Sequence, residues 1–453
     1  MTEASSRAPV NSEPSFETPV PALIGLSPMM VFVALIVVTG VLAQDFTAMP
    51  ILTGIVLAAA YALALSPTGV RLGLGQKVDI FCTGAGDKTI ILMGLVFLLA
   101  GAFYAITIDI GARDATVNLG LTFVPSRLLL PGLFLIACFI SFAMGTSMGT
   151  ITAIAPIGIG LAEAVGLSVP LALGIVIGGA MFGDNLSFIS DTTIAATRTQ
   201  GVQARDKFRA NLLIVLPAVV CTFIGLLFVP IDTTSSVATG DYNILLVLPY
   251  LIIIACALTG MNVIAVLGVG IATGCAVGLG TGAFSPLEMF ASLHKGMSWM
   301  QELVIIALVI GGIVALMRTY GGIDWLLTRL TANAKTARQT EFSIAALVSV
   351  LDISMANNTV SIVSAGPIAR DLGAKFQIDP RRIASLLDVF SCGCQDIVPH
   401  GGQMLAVSAL AGISPLAVLP FSWYPMALLF FGVLAIAFNL PRFKDSAQDD
   451  LAV

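Results

Sequence analysis

Between Met181 and Thr193 the chain reads Met-Phe-Gly-Asp-Asn-Leu-Ser-Phe-Ile-Ser-Asp-Thr-Thr. Asp184, Asn185, Ser187, Ser190, Asp191, Thr192 and Thr193 bring carboxylates, an amide and hydroxyls together after an uncharged apolar run, Val169–Ala180. Hard cations take such oxygen ligands. A carboxyl removed from water favours its neutral form, so the same group can trade a proton for a metal cation. Asp184 and Asp191 are therefore the candidates for binding a metal cation and a proton in competition. If this stretch is helical, Asp184, Ser187 and Asp191 fall at i, i+3 and i+7 and share a face. Gly178, Gly179 and Gly183 weaken the helix just ahead of them.

Three further polar interruptions break apolar runs. Gly145-Thr146-Ser147-Met148-Gly149-Thr150 adds Thr146, Ser147 and Thr150 to the first oxygen set. Ala356-Asn357-Asn358-Thr359 and the stretch from Asp388 to His400 supply a second set: Asn357, Asn358, Thr359, Asp388, Ser391, Gln395, Asp396 and His400. His400 is a candidate proton relay near neutral pH, or a hydrogen-bonded helix end. A lone Ser or Thr in a membrane helix commonly bonds back to a carbonyl or joins helices. Carboxylates at membrane depth are different, because they are costly there and mark functional sites by default. A structural Asp184 or Asp191 needs a cationic partner. No Lys or Arg lies between Arg127 and Arg198, so that partner must come from another segment. Asp352 and Glu302 are further carboxylates inside apolar runs.

The elements that position these groups follow from composition. The 453 residues are 57% hydrophobic and 10% charged, with mean hydropathy +0.99; soluble domains carry about 25% charged residues. The fold class is all-α polytopic membrane protein, since the apolar runs exceed the roughly ten residues of a barrel strand. About 10–13 membrane segments are expected at this length. Residues 1–25, rich in Ser, Pro and Glu, read as a disordered cytoplasmic tail. Residues 26–243 form a first half with its core at about 128–229, and 244–440 a second half with its core at about 342–440. Residues 441–453 read as a cytoplasmic tail. The polar stretch Thr107–Arg127 reads as an interfacial loop or a gating segment. Basic loops follow at Arg198–Arg209 and Arg318–Glu341, and an uncharged-to-acidic loop at Ile231–Asp241. Seven cysteines, odd in number and without a CxxC pair, read as small buried hydrophobes. Nothing in the composition points to nucleic acid.

The halves repeat. Pro156-Ile157 aligns with Pro367-Ile368, and the same offset of 211 places Thr146-Ser147 on Asn357-Asn358 and Asp184-Asn185 on Gln395-Asp396. Equivalent loops carry opposite charge character. The loop near Glu163 lacks Lys and Arg, whereas its counterpart holds Arg370, Lys375, Arg381 and Arg382. The loop after the first acidic cluster is basic, whereas its counterpart Ala411–Leu419 is uncharged. Positive loops stay inside, so the repeats are expected to have inverted topology. Broken helices meeting near the midplane of inverted repeats are the build of a secondary transporter.

The motif Gly145–Thr150 followed by Gly183–Thr193 resembles the NhaC family of Na+/H+ antiporters, within the ion transporter superfamily, and the similarity covers about residues 26–440. The resemblance implies two inverted repeats with re-entrant hairpins and sodium coupling. It implies that Thr146, Ser147, Asp184, Ser187, Ser190 and Asp191 line the transport site. Met148 stands where the family often has an aromatic. The second-repeat residues Asn357-Asn358-Thr359 and Gln395-Asp396 look more like a branch linked to amino-acid or carboxylate permeation.

The expectation is a secondary active transporter of the inner membrane, multi-pass, with both termini cytoplasmic. No cofactor is implied beyond Na+ and/or H+ as coupling ions. Its surroundings are membrane lipid, and a homodimer is possible. The transported species is either a bare cation exchanged for protons, or an amino acid or small carboxylate coupled to Na+ or H+. In the second case the helix N-termini at Thr146 and Asn357 would meet the carboxylate. Gly183-Asp184 is also a faint cue for an intramembrane aspartyl protease, but the repeat and the spread of hydroxyls argue against an enzyme.

Overall fold

The computed structural model describes residues 22–43, 49–67, 72–188, 190–230, 243–259, 261–331, 335–441 and 443. Most of the two expected tails and the Ile231–Asp241 loop lie outside the described residues. Within the described residues every regular element is helical. The first half contains α1 (Ser27–Ala43), α2 (Ile51–Ala64), α3 (Leu74–Ala85), α4 (Lys88–Asp109), α5 (Ala112–Phe123), α6 (Ser126–Met144), α7 (Ser147–Ala164), α8 (Val169–Leu186), α9 (Asp191–Gln200) and α10 (Ala204–Leu227). The second contains α11 (Ile244–Leu258), α12 (Val263–Thr281), α13 (Pro286–Thr319), α14 (Gly322–Thr331), α15 (Ala337–Met355), α16 (Asn358–Lys375), α17 (Pro380–Gln395), α18 (Gly402–Ala411), α19 (Pro415–Val418) and α20 (Trp423–Ala437).

Among the described residues, seven helices are long and apolar enough to cross a membrane. The pair formed by α18 and Pro415–Phe421, bent by 100°, makes an eighth. Four shorter apolar helices add to these. The outer surface carries Phe139, Leu213 and Phe430, while Asp184, Asn185, Lys207 and Asp388 are buried within. Apolar outside and polar inside suits a lipid solvent, where backbone groups must be satisfied by the protein itself.

The repeat is visible in the helix boundaries. Advancing α6, α7 and α9 by 211 residues gives the bounds of α15, α16 and α18. α8 and α17 start in the same register, but α17 ends two residues early. Helices also cross between halves: α9 packs on α16 and α18 on α7, while α4 lies along α13. Small residues permit the closest approaches. A Cβ on Gly179 of α8 would stand 2.6 Å from the Ala137 Cβ of α6, and one on Gly183 would run into Ser141.

Three sequence expectations need correction. Thr107–Arg127 is not simply a loop: it contains α5, where Arg113 pairs with Glu163 of α7 at 3.1 Å. The basic stretch Arg318–Glu341 contains α14, and its last residue, Glu341, is buried in an ion pair with Arg382 at 3.2 Å. Asp184, Ser187 and Asp191 do not share a helical face, because α8 stops at Leu186 and Asp191 opens α9.

Candidate functional site

Two helix starts face the centre of the bundle. Gly145, at φ +66°, turns the chain out of α6, and Thr146 caps α7 by accepting the Gly149 amide at 3.4 Å. In the second half Ala356, at φ +50°, does the same after α15. Asn357 then caps α16, its Oδ1 accepting the Val360 amide at 3.0 Å. A left-handed conformation costs an alanine about 1–2 kcal/mol, so the turn at Ala356 is held by its surroundings. Gln395 of α17 supplies one hold, donating to the Ala356 carbonyl at 3.1 Å.

Asp184 lies against the first of these helix starts. Its Oδ1 accepts the Ser147 amide at 3.1 Å, at the N-terminal end of α7 where the helix dipole favours negative charge. The chain then breaks between Leu186 and Asp191. The freed carbonyls are met from within the protein. Asp184 O lies 3.0 Å from Ser190 Oγ, 3.4 Å from Thr192 Oγ1 and 3.3 Å from Lys207 Nζ. Asn185 O accepts from Lys207 Nζ at 2.9 Å and from Asn211 Nδ2 at 2.8 Å. Thr193 donates to Ser187 O at 2.8 Å, and the Ser190 hydroxyl caps α9.

Asp388 belongs to this same polar cluster rather than to an open site. Lys207 Nζ stands 2.9 Å from its Oδ1, and both side chains are fully buried. Asn211 and Asn185 donate to its Oδ2 at 2.7 and 3.2 Å. Tyr424 closes the network by donating to Asn185 Oδ1 at 2.8 Å. Ser391 turns back to the Asp388 carbonyl at 3.2 Å.

A cavity of about 100 Å³ separates the two helix starts. Thr146, Ser147, Asp184, Asp191 and Thr192 line it from the first half. Asn357, Asn358, Thr359, Gln395 and Gln403 line it from the second. Gln403 joins the sides: Gln395 donates to its Oε1 at 2.8 Å, and its Nε2 donates to Ser147 Oγ at 3.2 Å. The structure thus gathers nine of the sequence-expected residues around one space. Asn185, Asp388 and Ser391 stand in the Lys207 network instead, and Ser187 and Ser190 tie the break. Thr150 bonds back to Thr146 O at 3.0 Å. His400 Nε2 lies 2.9 Å from the Ile353 carbonyl of α15. Asp396 and Asp352 are wholly buried, and among the described residues the Asp396 carboxylate oxygens have no hydrogen-bond partner.

Among the described residues no group of three or more His, Cys, Asp or Glu side chains is placed to hold a metal ion. A cation in this cavity would instead meet one or two carboxylates mixed with amides, hydroxyls and carbonyls, which fits a hard monovalent ion. Sequence reasoning missed Lys207, Asn211, Gln403 and Tyr424. Lys207 falls in the basic Arg198–Arg209 stretch, yet Lys207, Asn211, Ile214, Val215 and Ala218 all face inward along one stripe of α10. That helical spacing was the available signal.

An all-helical membrane bundle with polar helix breaks from two repeats around a central cavity defines a secondary transporter. The chain belongs to the Na+/H+ antiporter family, whose profile matches residues 2–231 and 233–440. It is 25% identical to the arginine/ornithine antiporter ArcD of Halobacterium salinarum, over 88% of each chain. It is 24% identical to the Na+/H+ antiporter NhaC of Alkalihalophilus pseudofirmus, over 78% of this chain and 83% of that one. It is 23% identical to the malate-2H+/Na+-lactate antiporter of Bacillus subtilis, over the same shares. Among solved structures, the YdaH transporter of Alcanivorax borkumensis matches with TM-score 0.41 and 12% identity, over 91% of this chain and 99% of that one. The protein is a multi-pass transporter, not an enzyme.

Proposed function

We propose that the chain exchanges Na+ for H+ at Asp184, by alternating access of the central cavity to the two sides of the inner membrane. The supporting observation is the setting of Asp184. Its carboxylate is buried, receives one hydrogen bond among the described residues, from Ser147 N–H, and faces a cavity built by both halves. Na+ would bind Asp184 and Asp191 with Thr146, Ser147 and the Asn357–Thr359 start as neighbours. A proton on Asp184 removes the charge that holds the cation, so the two bind in turn. The matching helix bounds, with the reversed loop charges, support inverted repeats moving against each other around this site. Both termini lie in the cytoplasm by the same loop-charge rule, and a homodimer is compatible with the exposed apolar faces.

A second reading has its own observation. Asn357, Asn358 and Gln395 bring amide donors to the cavity, which a bare cation does not need. Relatives named for amino-acid and carboxylate exchange support an organic substrate coupled to the same ion.

Proteoliposomes with an internal pH dye test both. A Na+ gradient alone is expected to drive proton movement, lost in Asp184→Asn. Because protons compete at the carboxylate, lowering the pH should weaken apparent Na+ affinity. No flux until an organic acid or amino acid is added would overturn bare exchange and establish the second reading.

A further inference from the structure

A second cavity, of about 150 Å³, lies beside the first and shares Met93, Ala356 and Asn357 with it. Its walls are mostly apolar, with Ile90 and Phe97 from α4, Ile310 and Val314 from α13, and Leu405 from α18, and Asp87 and His400 are the other polar side chains on the lining besides Arg318 and Asn357. Glycines make the room: a Cβ on Gly402 would stand 2.5 Å from Met93 Cε, and one on Gly311 would run into Ile90.

Two features of this chamber are cationic or electropositive. Asn357 brings the N-terminal end of the 18-residue α16 to its wall, a place where backbone N–H groups and the helix dipole favour an anion. Arg318 stands at the rim. Its Nη2 donates to Ser364 Oγ at 2.8 Å and lies 3.4 Å from Met355 Sδ. Among the described residues Arg318 forms no salt bridge, although the charges of Asp87 and Asp324 reach it. A guanidinium carries five N–H donors in a fork matched to a carboxylate.

From this we infer that the chamber is a binding site for a small organic monocarboxylate, its carboxylate on Arg318 and the start of α16, its aliphatic body against the α4 and α13 walls. The inference rests on the reading of the neighbouring cavity as the coupling-ion site, and it names the substrate class of the second reading above. Size sets the ligand. An engineered apolar cavity of about 150 Å³ in another protein holds benzene, so a ligand of about six non-hydrogen atoms fits. Isobutyrate, lactate and alanine have that size and share the carboxylate. A dicarboxylate would press its second charge into the apolar wall, where an unpaired charge is strongly disfavoured.

The test is equilibrium binding of radiolabelled isobutyrate to the purified full chain in detergent, with unlabelled L-lactate, L-alanine and succinate as competitors. Radioactive sodium binding is measured on the same preparations. Saturable isobutyrate binding, displaced by lactate or alanine but not by succinate, is expected. Which of those two competes better distinguishes a hydroxy acid from an amino acid as the natural ligand. Arg318→Ala should weaken binding about tenfold or more, as loss of a charged hydrogen bond does. Arg318→Lys should fall between, and Val314→Phe should abolish binding by filling the chamber. No saturable binding of any monocarboxylate, equal displacement by succinate, or unchanged affinity in Arg318→Ala overturns the inference. Sodium binding lost in Asp184→Asn and kept in Arg318→Ala tests the ion reading independently and shows that the arginine variant is folded. Should Arg318→Ala fail to fold, the lysine and phenylalanine variants carry the same decision.

Discussion

Lys207 of α10 and Asp388 of α17 form an ion pair at 2.9 Å that joins the two halves, with both side chains fully buried. The lysine also bonds the Asp184 and Asn185 carbonyls at the end of α8. One ammonium therefore neutralises a carboxylate of the second half and ties down the helix break of the first. Val418 stands 211 residues after Lys207, so the repeat does not duplicate this charge.

Breaking that pair leaves an uncompensated buried charge, which costs about 3–5 kcal/mol. Lys207→Met and Asp388→Asn are each expected to lower the unfolding temperature sharply in detergent. The double variant should recover part of the loss. Strictly additive losses in the unfolding scans would show that the two groups are not coupled.

Tyr424 donates to Asn185 Oδ1 at 2.8 Å inside the same network. Tyr424→Phe keeps the ring and removes the donor, leaving a buried acceptor unsatisfied at a cost of about 1–3 kcal/mol. A drop in thermal stability with transport otherwise retained is the expected result. A variant as stable as the parent would mean that water or another donor replaces the hydroxyl.

Gln395→Met tests the hold on the second helix start. The Ala356 carbonyl and Gln403 would both lose a partner, and the turn at Ala356 would loosen. Slower transport is expected, with faster amide hydrogen exchange at residues 356–360. Unchanged exchange there would separate Gln395 from the turn.

Gly183→Ala would drive a methyl group into Ser141 where α6 and α8 touch. The backbone of α6 cannot yield as the tip of a flexible side chain does, so overpacking of about 1–3 kcal/mol is expected. Expression in the membrane and monodispersity on gel filtration should both fall. Parental behaviour in both would show that the helices separate at little cost.

Much of the candidate site was legible because its signals are local. A Gly-Thr-Ser or Ala-Asn-Asn run inside an oily stretch marks a broken helix wherever it occurs, since freed backbone groups need polar neighbours in a membrane. The repeat was legible for the same reason, and the helix bounds follow its offset. The face shared by Asp184, Ser187 and Asp191 was misread, because periodicity assumes a helix that continues past Leu186.

The sequence by itself determined the membrane class, the helix breaks and the oxygen-rich residues at them, since hydropathy, turn chemistry and side-chain type act over a few residues. Only the tertiary structure decided which of those residues share a cavity and which are consumed by one another. Asp388 and Asp184 look alike as carboxylates in apolar runs. Lys207 comes to rest against the first, while the second is left with Ser147 N–H and open space. That difference depends on the rotation and depth of α10 against α17 and α8, and packing between distant segments sets it.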